Sequence, residues 1–328
     1  MKSNQLAQFK NIHQYEKALL LCNGSSLNKV DFSRIDTTKV KLFGLNKIFL
    51  GFDKFAIKPD YLVAVNKKVL EQSAEKYNNL DIVKFISNRV SPQLIPENPY
   101  THYINTTNIP KTRERFSKNI CEYVHEGWTV THAALQIIYY MGFGEVYIVG
   151  MDHYFSQHIK GQENRASYIK GDDNDHFDPK YFGHGQSWDL PDLVNSEISY
   201  QAALDAYQSD GRKIYDCTIN GACQIFPKMP VQLLYTQGVD STLNPALNNL
   251  FLKEIHKKIS PEMNSLTVAN NLFRCSQYTK AIQIYILLYT QNPLQIYLNN
   301  AFMCSQKMGL KPVLTFQDLL EELKDIIS

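Results

Sequence analysis

The chain has 328 residues, of which 44% are hydrophobic and 20% charged, and its formal net charge at pH 7 is +2. This length and composition are typical of a globular protein with one large domain and a smaller one. The near balance of 34 basic and 32 acidic residues excludes a whole-chain field that would attract nucleic acid or an anionic membrane. We therefore predict no nucleic-acid partner.

The cysteine pattern and the amino terminus point to one compartment. The 6 cysteines are scattered, with no CxxC pair and no histidine at metal-ligand spacing, which indicates reduced and mostly buried thiols. The first residues lack the apolar run of a signal peptide, and no stretch reaches the roughly 18 apolar residues of a membrane span. We expect a cytoplasmic protein, and peripheral contact with the inner membrane stays open.

Apolar runs alternate with helical patterns through the first two thirds of the chain. Residues 17–32 begin with an apolar run, break at Asn23 and Gly24, and continue into a helix start, so they predict a strand, a turn and a helix. Further strands are predicted at 41–46, 60–66, 81–87, 145–152 and 212–218, with helices at 66–77, 129–143 and 196–211. This alternation predicts an α/β domain over 1–240, with a Rossmann-like, mostly parallel sheet and helices on both faces.

After about residue 240 only helices are predicted. Tyr278, Ala281, Tyr285 and Pro293 stand at positions that resemble a tetratricopeptide helix pair. We predict that 241–328 form a small all-helical region that resembles tetratricopeptide repeats, and a partner for it stays open.

Polar residues follow four of the predicted strands. Because the carboxyl ends of parallel strands meet at one edge of a sheet, these residues predict a ligand site there; they are Asn23, Gly24, Ser26, Asn46, Asn66 and Asp152. The long polar segment 153–195 is typical of a lid or binding loop and is expected to supply part of the site.

The NGSSL turn has neither the spaced glycines of a dinucleotide-binding motif nor the lysine of a P-loop. Its N–H groups and the Ser25 and Ser26 hydroxyls could hold a phosphate. The alternative is a capped turn between strand and helix.

Several residues have both a chemical and a structural interpretation. Residues 171–178 carry enough aspartates for a hard divalent cation, or they form a flexible acidic loop. His132 and His153 are either polar core residues or site residues. His184, between two glycines, is either a turn residue or a general base.

Three motifs resemble those of the bacterial, Campylobacter-type lipooligosaccharide sialyltransferases. NGSSL, GMDHY and YFGH correspond in order and approximate spacing to NGPSL, GxDFY and YIGH over about 17–230. The middle of the chain is also similar to the wider superfamily of motility-associated factor proteins, which modify flagellin, and 6-hydroxymethylpterin pyrophosphokinase-like enzymes.

The sialyltransferase resemblance implies an inverting transfer of a sialic acid or related nonulosonic acid from a CMP-activated donor. It assigns the proton-accepting base to His184 and the leaving-phosphate contact to Tyr154. Donor binding would involve Asn23, Gly24, Ser25, Ser26, Asn46, Asn66, Thr129 and Asp152. No cofactor or metal is expected, because a phenolic hydrogen bond can support departure of a monophosphate.

The chain departs from the sialyltransferase pattern at several points. A second leaving-group tyrosine has no clear counterpart, and Tyr168 and Tyr181 both stay open. TVT replaces TSG at Thr129, and Ser25 replaces a proline. The acidic segment before His184 has no counterpart.

The leading hypothesis is therefore a glycosyltransferase acting on a cell-surface glycan precursor or on a protein such as flagellin. The alternative is an ATP- and Mg²⁺-dependent diphosphotransferase acting on a pterin alcohol. A third is a non-catalytic scaffold that binds through its helical repeats. A homo-oligomer is left open in each case.

Overall fold

The structure is a computed structural model that describes residues 4–108, 115–156, 163–168, 172–182, 187–235, 265–291, 295–310, 319–320 and 322–323. The chain divides into two compact units, Met1–Lys228 and Met229–Ser328. The boundary predicted between residues 240 and 241 lies outside the described residues.

A parallel sheet forms the centre of the first unit. Within the described residues it has seven strands, which are β1 (Lys17–Leu21), β2 (Lys41–Leu45), β3 (Tyr61–Ala64), β4 (Val83–Ser87), β5 (Thr101–Ile104), β8 (Glu145–Val149) and β11 (Lys213–Asp216). They lie in the order β11-β8-β1-β2-β3-β4-β5, and every neighbouring pair is parallel. The predicted α/β, Rossmann-like class is confirmed, and β5 is an edge strand that the prediction missed.

Four short strands lie outside this sheet. β6 (Thr106–Thr107) pairs in parallel with β7 (Val124–His125), and β9 (Ala166–Tyr168) pairs in antiparallel with β10 (Ser187–Asp189). The second pair belongs to the segment predicted as a binding loop, so part of that loop is ordered by its own ladder.

The sheet is buried because its central strands are apolar on both alternations. In β1 the residues from Ala18 to Leu21 are fully buried, and so are Val146, Ile148 and Val149 of β8. Burial of this kind contributes roughly 25 cal/mol per Å² of apolar surface. A strand that alternated apolar and polar residues would lose one of its two packing faces here.

The helices of the first unit are α1 (Asn4–Ala7), α2 (Phe52–Phe55), α3 (Lys67–Gln72), α4 (Ala74–Asn78), α5 (Val130–Tyr140) and α6 (Leu193–Ser209). The predicted helix 66–77 is two short helices that meet at Ser73. The helix predicted after the break at Asn23 and Gly24 is a 3-10 helix, Ser25–Lys29. Helix α5 is buried over nearly its whole length, and the Tyr207 hydroxyl of α6 donates to the Leu135 carbonyl at 2.8 Å.

The second unit is helical where it is described. It contains a 3-10 turn at Val231–Leu234 and the helices α7 (Leu266–Arg274), α8 (Tyr278–Gln291) and α9 (Gln295–Lys307). Tyr285 is buried, and its hydroxyl donates to Asn270 Oδ1 at 2.6 Å. The tetratricopeptide resemblance stays a prediction, and Pro293 lies outside the described residues.

The helices in the described ranges are all too short or too polar to cross a bilayer. The cysteines are all free thiols, and Cys22, Cys217, Cys223 and Cys304 are buried.

Candidate active site

The site lies where the order of the strands reverses. After β1 the chain moves outward through β2, β3, β4 and β5, and it then returns to the other side of β1 as β8. The carboxyl ends of β1 and β8 therefore diverge into loops that run in opposite directions, which opens a crevice between them.

Asp152 joins the two sides of this crevice. Its carboxylate accepts hydrogen bonds from the Ser25 hydroxyl at 3.1 Å and the Ser26 N–H at 3.0 Å, and also from the Ser26 hydroxyl. The serine donors that the sequence suggests for a phosphate are thus engaged with a carboxylate of the protein. Asp152 supports the structure of the turn as well as lining the crevice.

Gly24 is required at this contact because no side chain fits. Its N–H donates to the Gly150 carbonyl at 2.8 Å. A β-carbon on Gly24 would lie 2.5 Å from the Asp152 Cγ and 2.6 Å from the Gly150 oxygen. The glycine of NGSSL therefore permits a close approach of two strand ends.

Three carboxamides line the resulting cavity, which has a volume of about 430 Å³. Asn23 donates to the Leu45 carbonyl at 3.1 Å, while its Oδ1 is buried and accepts no hydrogen bond from the described residues. The Asn46 side chain hydrogen-bonds the Tyr181 hydroxyl, and its Oδ1 likewise accepts none within the described part of the chain. The Asn66 Oδ1 caps α3 by accepting from the Val69 N–H. Among the described residues, the cavity wall thus contains two carboxamide oxygens that accept no hydrogen bond.

The amino terminus of α5 forms another wall. Thr129 is its N-cap, and the Thr129 hydroxyl lies 3.4 Å from the Thr131 nitrogen and 3.2 Å from the Tyr200 hydroxyl. The helix dipole places partial positive charge at this end. A ligand with a negative group would be stabilised here.

An ion pair lies beside the helix terminus. Arg89 donates to Glu126 Oε2 at 2.5 Å, and both residues line the cavity. Burial raises the pKa of Glu126 in spite of the guanidinium beside it. Sequence reasoning missed this pair, since neither residue stands in a motif.

The described part of the acidic segment, residues 172–182, is ordered around Asp173. One carboxylate oxygen accepts from the N–H groups of Asp175 at 3.0 Å and His176 at 3.2 Å. The other accepts from His176 Nδ1 at 2.8 Å and the Phe182 N–H at 3.3 Å. Burial alone would raise the pKa of Asp173, but these hydrogen bonds together hold it below its usual value.

Aromatic packing fixes the same segment. The His176 and Tyr181 rings are stacked, with centroids 4.0 Å apart and planes inclined by 2°. Tyr181 is buried, and this burial raises the pKa of its hydroxyl. Lys47 donates to the Tyr181 carbonyl at 2.8 Å, and burial lowers the pKa of this lysine to about 8 although Asp173 opposes the shift.

The predicted site residues have different outcomes. The cavity brings together eight of them: Asn23, Gly24, Asn46, Asn66, Thr129, Asp152, Tyr154 and Tyr181. Tyr154 lies at the rim with 68% of its surface exposed. His184 and the side chain of Tyr168 lie outside the described residues, so their roles stay predictions.

Two further histidines differ in position. His153 lines the cavity and contacts Glu197 Oε1 at 3.1 Å, and burial lowers its pKa. His132 is fully buried in α5, and its Nε2 lies 2.8 Å from the Arg115 carbonyl. Burial lowers the pKa of His132 to about 3, so this residue is a neutral part of the core.

Two carboxylates of the acidic segment are engaged with donors of the protein. Both oxygens of Asp173 accept from N–H groups, and both oxygens of Asp175 accept from Ser156 at 2.9 and 3.0 Å. Nowhere in the described ranges do three or more histidine, cysteine or acidic side chains converge as metal ligands would. The Asp173 and Asp175 carboxylates thus stabilise the loop, and a cation bound there stays a prediction.

Comparison with solved structures found two relevant similarities at low identity. The MAf glycosyltransferase from Magnetospirillum magneticum AMB-1 is 14% identical, with a TM-score of 0.44 over 99% of this chain, which spans 58% of that protein. The sialyltransferase CstII from Campylobacter jejuni, solved with cytidine-5'-monophosphate, is 16% identical. Its TM-score is 0.40, over 68% of this chain and 88% of the other.

None of the curated protein sequences is similar enough to this chain to count as a match. Residues 1–158 do match a family profile, and that stretch includes β1 to β8 and the strand-end carboxamides but not the 172–182 loop. The matched family is described as 6-hydroxymethylpterin diphosphokinase MptE-like.

Proposed function

We propose that the protein is an inverting glycosyltransferase that uses a CMP-activated nonulosonic acid and acts on a hydroxyl of a glycan or protein. One observation carries this proposal: three strand-end carboxamides and the amino terminus of α5 line one cavity at the reversal of the sheet. Carboxamides offer both donors and acceptors to a nucleobase and a ribose. The helix terminus suits a negatively charged phosphate or carboxylate.

The motifs support the choice of donor. NGSSL, GMDHY and YFGH, which resemble elements of the sialyltransferases, supply cavity residues from separate parts of the chain, namely Asn23, Asp152 and Tyr181. In the proposed reaction Asn46 and Asn66 contact the cytidine, and Gly24 and Thr129 lie beside the phosphate or the sugar carboxylate. Tyr154 donates a hydrogen bond to the departing phosphate. The general base that the resemblance assigns is His184.

A binding screen tests the nucleotide. Thermal unfolding is followed with CMP, CDP, UDP, GDP and ATP, each with and without Mg²⁺, because a ligand that binds only the folded state raises the Tm. Selective stabilisation by CMP that does not need Mg²⁺ is the expected result. Stabilisation by ATP alone would contradict the proposal.

A matched pair of variants ties the binding to the cavity. Asn46 and Asn220 both have left-handed backbone, with φ of 45° and 60°, so glycine fits either position without strain. Asn220 is exposed and lies outside the cavity lining. Asn46→Gly should weaken CMP binding about tenfold, which is the loss of roughly one hydrogen bond, whereas Asn220→Gly should leave it unchanged.

The family match to residues 1–158 favours a second candidate, a diphosphokinase acting on a hydroxymethylpterin. That reaction requires ATP and Mg²⁺, and the Asp152, Asp173 and Asp175 carboxylates already accept hydrogen bonds from the protein. A metal would therefore have to share these carboxylates with donors of the protein. Formation of AMP from ATP on addition of 6-hydroxymethylpterin would favour this candidate over the glycosyltransferase.

A further inference from the structure

We propose that His176, oriented by the Asp173 carboxylate, takes the role that the sialyltransferase resemblance assigns to His184 and is the general base that accepts the proton of the attacking hydroxyl. This inference rests on the proposed glycosyl transfer and identifies a catalytic residue for it. The carboxylate is the positioning residue. The loop that holds both is the acidic segment that has no counterpart in the sialyltransferase pattern.

The Asp173 carboxylate orients the His176 ring. Asp173 Oδ2 lies 2.8 Å from His176 Nδ1, and the ionised carboxylate can only accept. The neutral ring therefore carries its proton on Nδ1 and has a lone pair on Nε2. A base oriented by a third group in this way is the arrangement that activates hydroxyl nucleophiles in many enzymes.

His176 lies in the wall of the cavity, next to the β1 turn. Within the described part of the chain Nε2 makes no hydrogen bond, and the residue lines the cavity. The backbone of His176 bridges to Gly24, and the Phe177 N–H donates to the Asn23 carbonyl at 3.0 Å. The histidine is thus anchored directly to the β1 turn that is proposed to hold the donor.

Aromatic packing and hydrogen bonds hold His176 and Asp173 in place. The ring is stacked on Tyr181 and meets Phe182 edge-on, with centroids 5.3 Å apart. Asp173 is itself fixed by the N–H groups of Asp175 and Phe182. A base held on two sides in this manner needs little reorganisation when it accepts a proton.

The proposed step balances without a cofactor. The acceptor oxygen forms a bond to the anomeric carbon of the donor sugar, and the bond from that carbon to the phosphate oxygen breaks. CMP leaves with the bonding electron pair. The acceptor proton moves to Nε2, and Asp173 stabilises the imidazolium that results.

The experiment measures CMP release from CMP-N-acetylneuraminic acid, with water or an added glycoside as acceptor. His176→Ala should lower kcat about 100-fold or more and change the donor KM by less than about threefold. Added imidazole should restore part of the lost rate, because a free base can occupy the space of the missing ring. A purely structural role for His176 would not give this rescue.

His13→Ala is the matched control. His13 is also paired with a carboxylate, Glu16 at 3.2 Å, and its Nε2 contacts the Tyr61 hydroxyl at 2.6 Å, away from the cavity lining. Its kcat should equal that of the unchanged protein. His184→Ala should lower kcat less than about tenfold if His176 is the base.

Two results would overturn the inference, and they are distinguishable. An active protein whose His176→Ala variant keeps its kcat would remove His176 from the mechanism and leave the glycosyltransferase intact. If the unchanged protein releases no CMP, the proposed function fails and the inference fails with it.

Discussion

His132 and His176, both in the first unit, differ in their hydrogen-bond partners: a backbone carbonyl for His132 and a carboxylate for His176. His132 lies in the core, where its Nε2 is bound to the Arg115 carbonyl and its ring is 5.8 Å from that of His125. His176 lies in the cavity wall, where its Nδ1 is paired with Asp173 and its Nε2 makes no hydrogen bond within the described residues. The same side chain is thus a neutral packing element in one place and a directed base in the other.

The backbone explains why the two environments cannot be exchanged. Gly127, with φ of 62°, passes so close to His132 that a β-carbon there would lie 2.4 Å from the His132 ring. In the 172–182 loop, by contrast, three backbone N–H groups donate to the Asp173 carboxylate. These hydrogen bonds fix the conformation of the loop backbone around the carboxylate. Core shape fixes the first histidine, and hydrogen bonding fixes the second.

The largest effect is expected from removing the Asp173 carboxylate, around which the 172–182 loop is ordered. Asp173→Ala should lower kcat more than about 100-fold, because the His176 ring loses its orienting partner. It should also lower the free energy of unfolding by about 3 kcal/mol, because three buried or half-buried backbone N–H groups lose their acceptor. Urea unfolding and CMP release measure the two effects.

The control for this change is its neighbour. Asp172 is exposed, so Asp172→Ala should alter neither quantity. If the two aspartate variants behaved alike, the carboxylate of Asp173 would have no special part in the loop.

A smaller effect is expected from the core histidine when the pH falls. The folded-state pKa of His132 is about 3, below the ordinary value of 6.5, so the unfolded chain takes up a proton that the folded chain refuses. The contribution of His132 to the free energy of unfolding is fully present above pH 6.5 and declines as the pH falls below that value. Lowering the pH from 7 to 5 should cost about 2 kcal/mol from this residue.

The contribution of His132 is isolated by comparing pH dependences. Urea unfolding at pH 7 and pH 5 is measured for the unchanged protein and for His132→Gln, in which no imidazole titrates at this position. The variant should lose less stability between the two pH values. Equal losses would mean that His132 takes up a proton in the folded state as well.

The smallest effect is expected from removing the hydroxyl of Tyr181, the residue on which the His176 ring is stacked. Tyr181→Phe keeps the ring beside His176 and removes only the hydroxyl that bonds to Asn46. It should cost about 1 kcal/mol of stability, and kcat should fall less than about tenfold.

Tyr154→Phe completes that comparison, since both tyrosines are candidates for the leaving phosphate. Tyr154 is exposed at the cavity rim, so the loss of its hydroxyl should leave stability unchanged and lower kcat more than Tyr181→Phe does. The opposite order of the two kcat values would move the phosphate contact to Tyr181.

Much of the fold could be predicted because the central strands are continuous apolar runs, which only a doubly covered sheet can bury. The edge strand Thr101–Ile104 was missed, since THYI mixes polar and apolar residues and follows a proline and a tyrosine. The break at Ser73 was missed because helical periodicity continues across it. Local turns of this kind depend on tertiary packing and not on propensity.

The strand-end residues of the site could also be predicted, because parallel topology alone brings Asn23, Asn46 and Asn66 together. His176 could not, since its role depends on a stacked tyrosine and on a carboxylate whose other bonds go to the backbone. The spacing Asp173-x-x-His176 was the available signal, and the neighbouring aspartates suggested a cation instead. The partnership of Ser25 and Ser26 with Asp152 joins residues far apart in the chain, which a motif does not reveal.

The position of β1 between β2 and β8 also affects how the protein is made. β2 is synthesised soon after β1 and can pair with it early. The other neighbour of β1 is β8, in which Glu145, the partner of Lys17, is synthesised about 130 residues later. At translation rates of about 5–20 residues per second, one edge of this very apolar strand stays open for roughly 10 s. The nascent chain therefore exposes an edge of this apolar strand before the crevice exists, and shielding by a chaperone during that interval would favour correct folding.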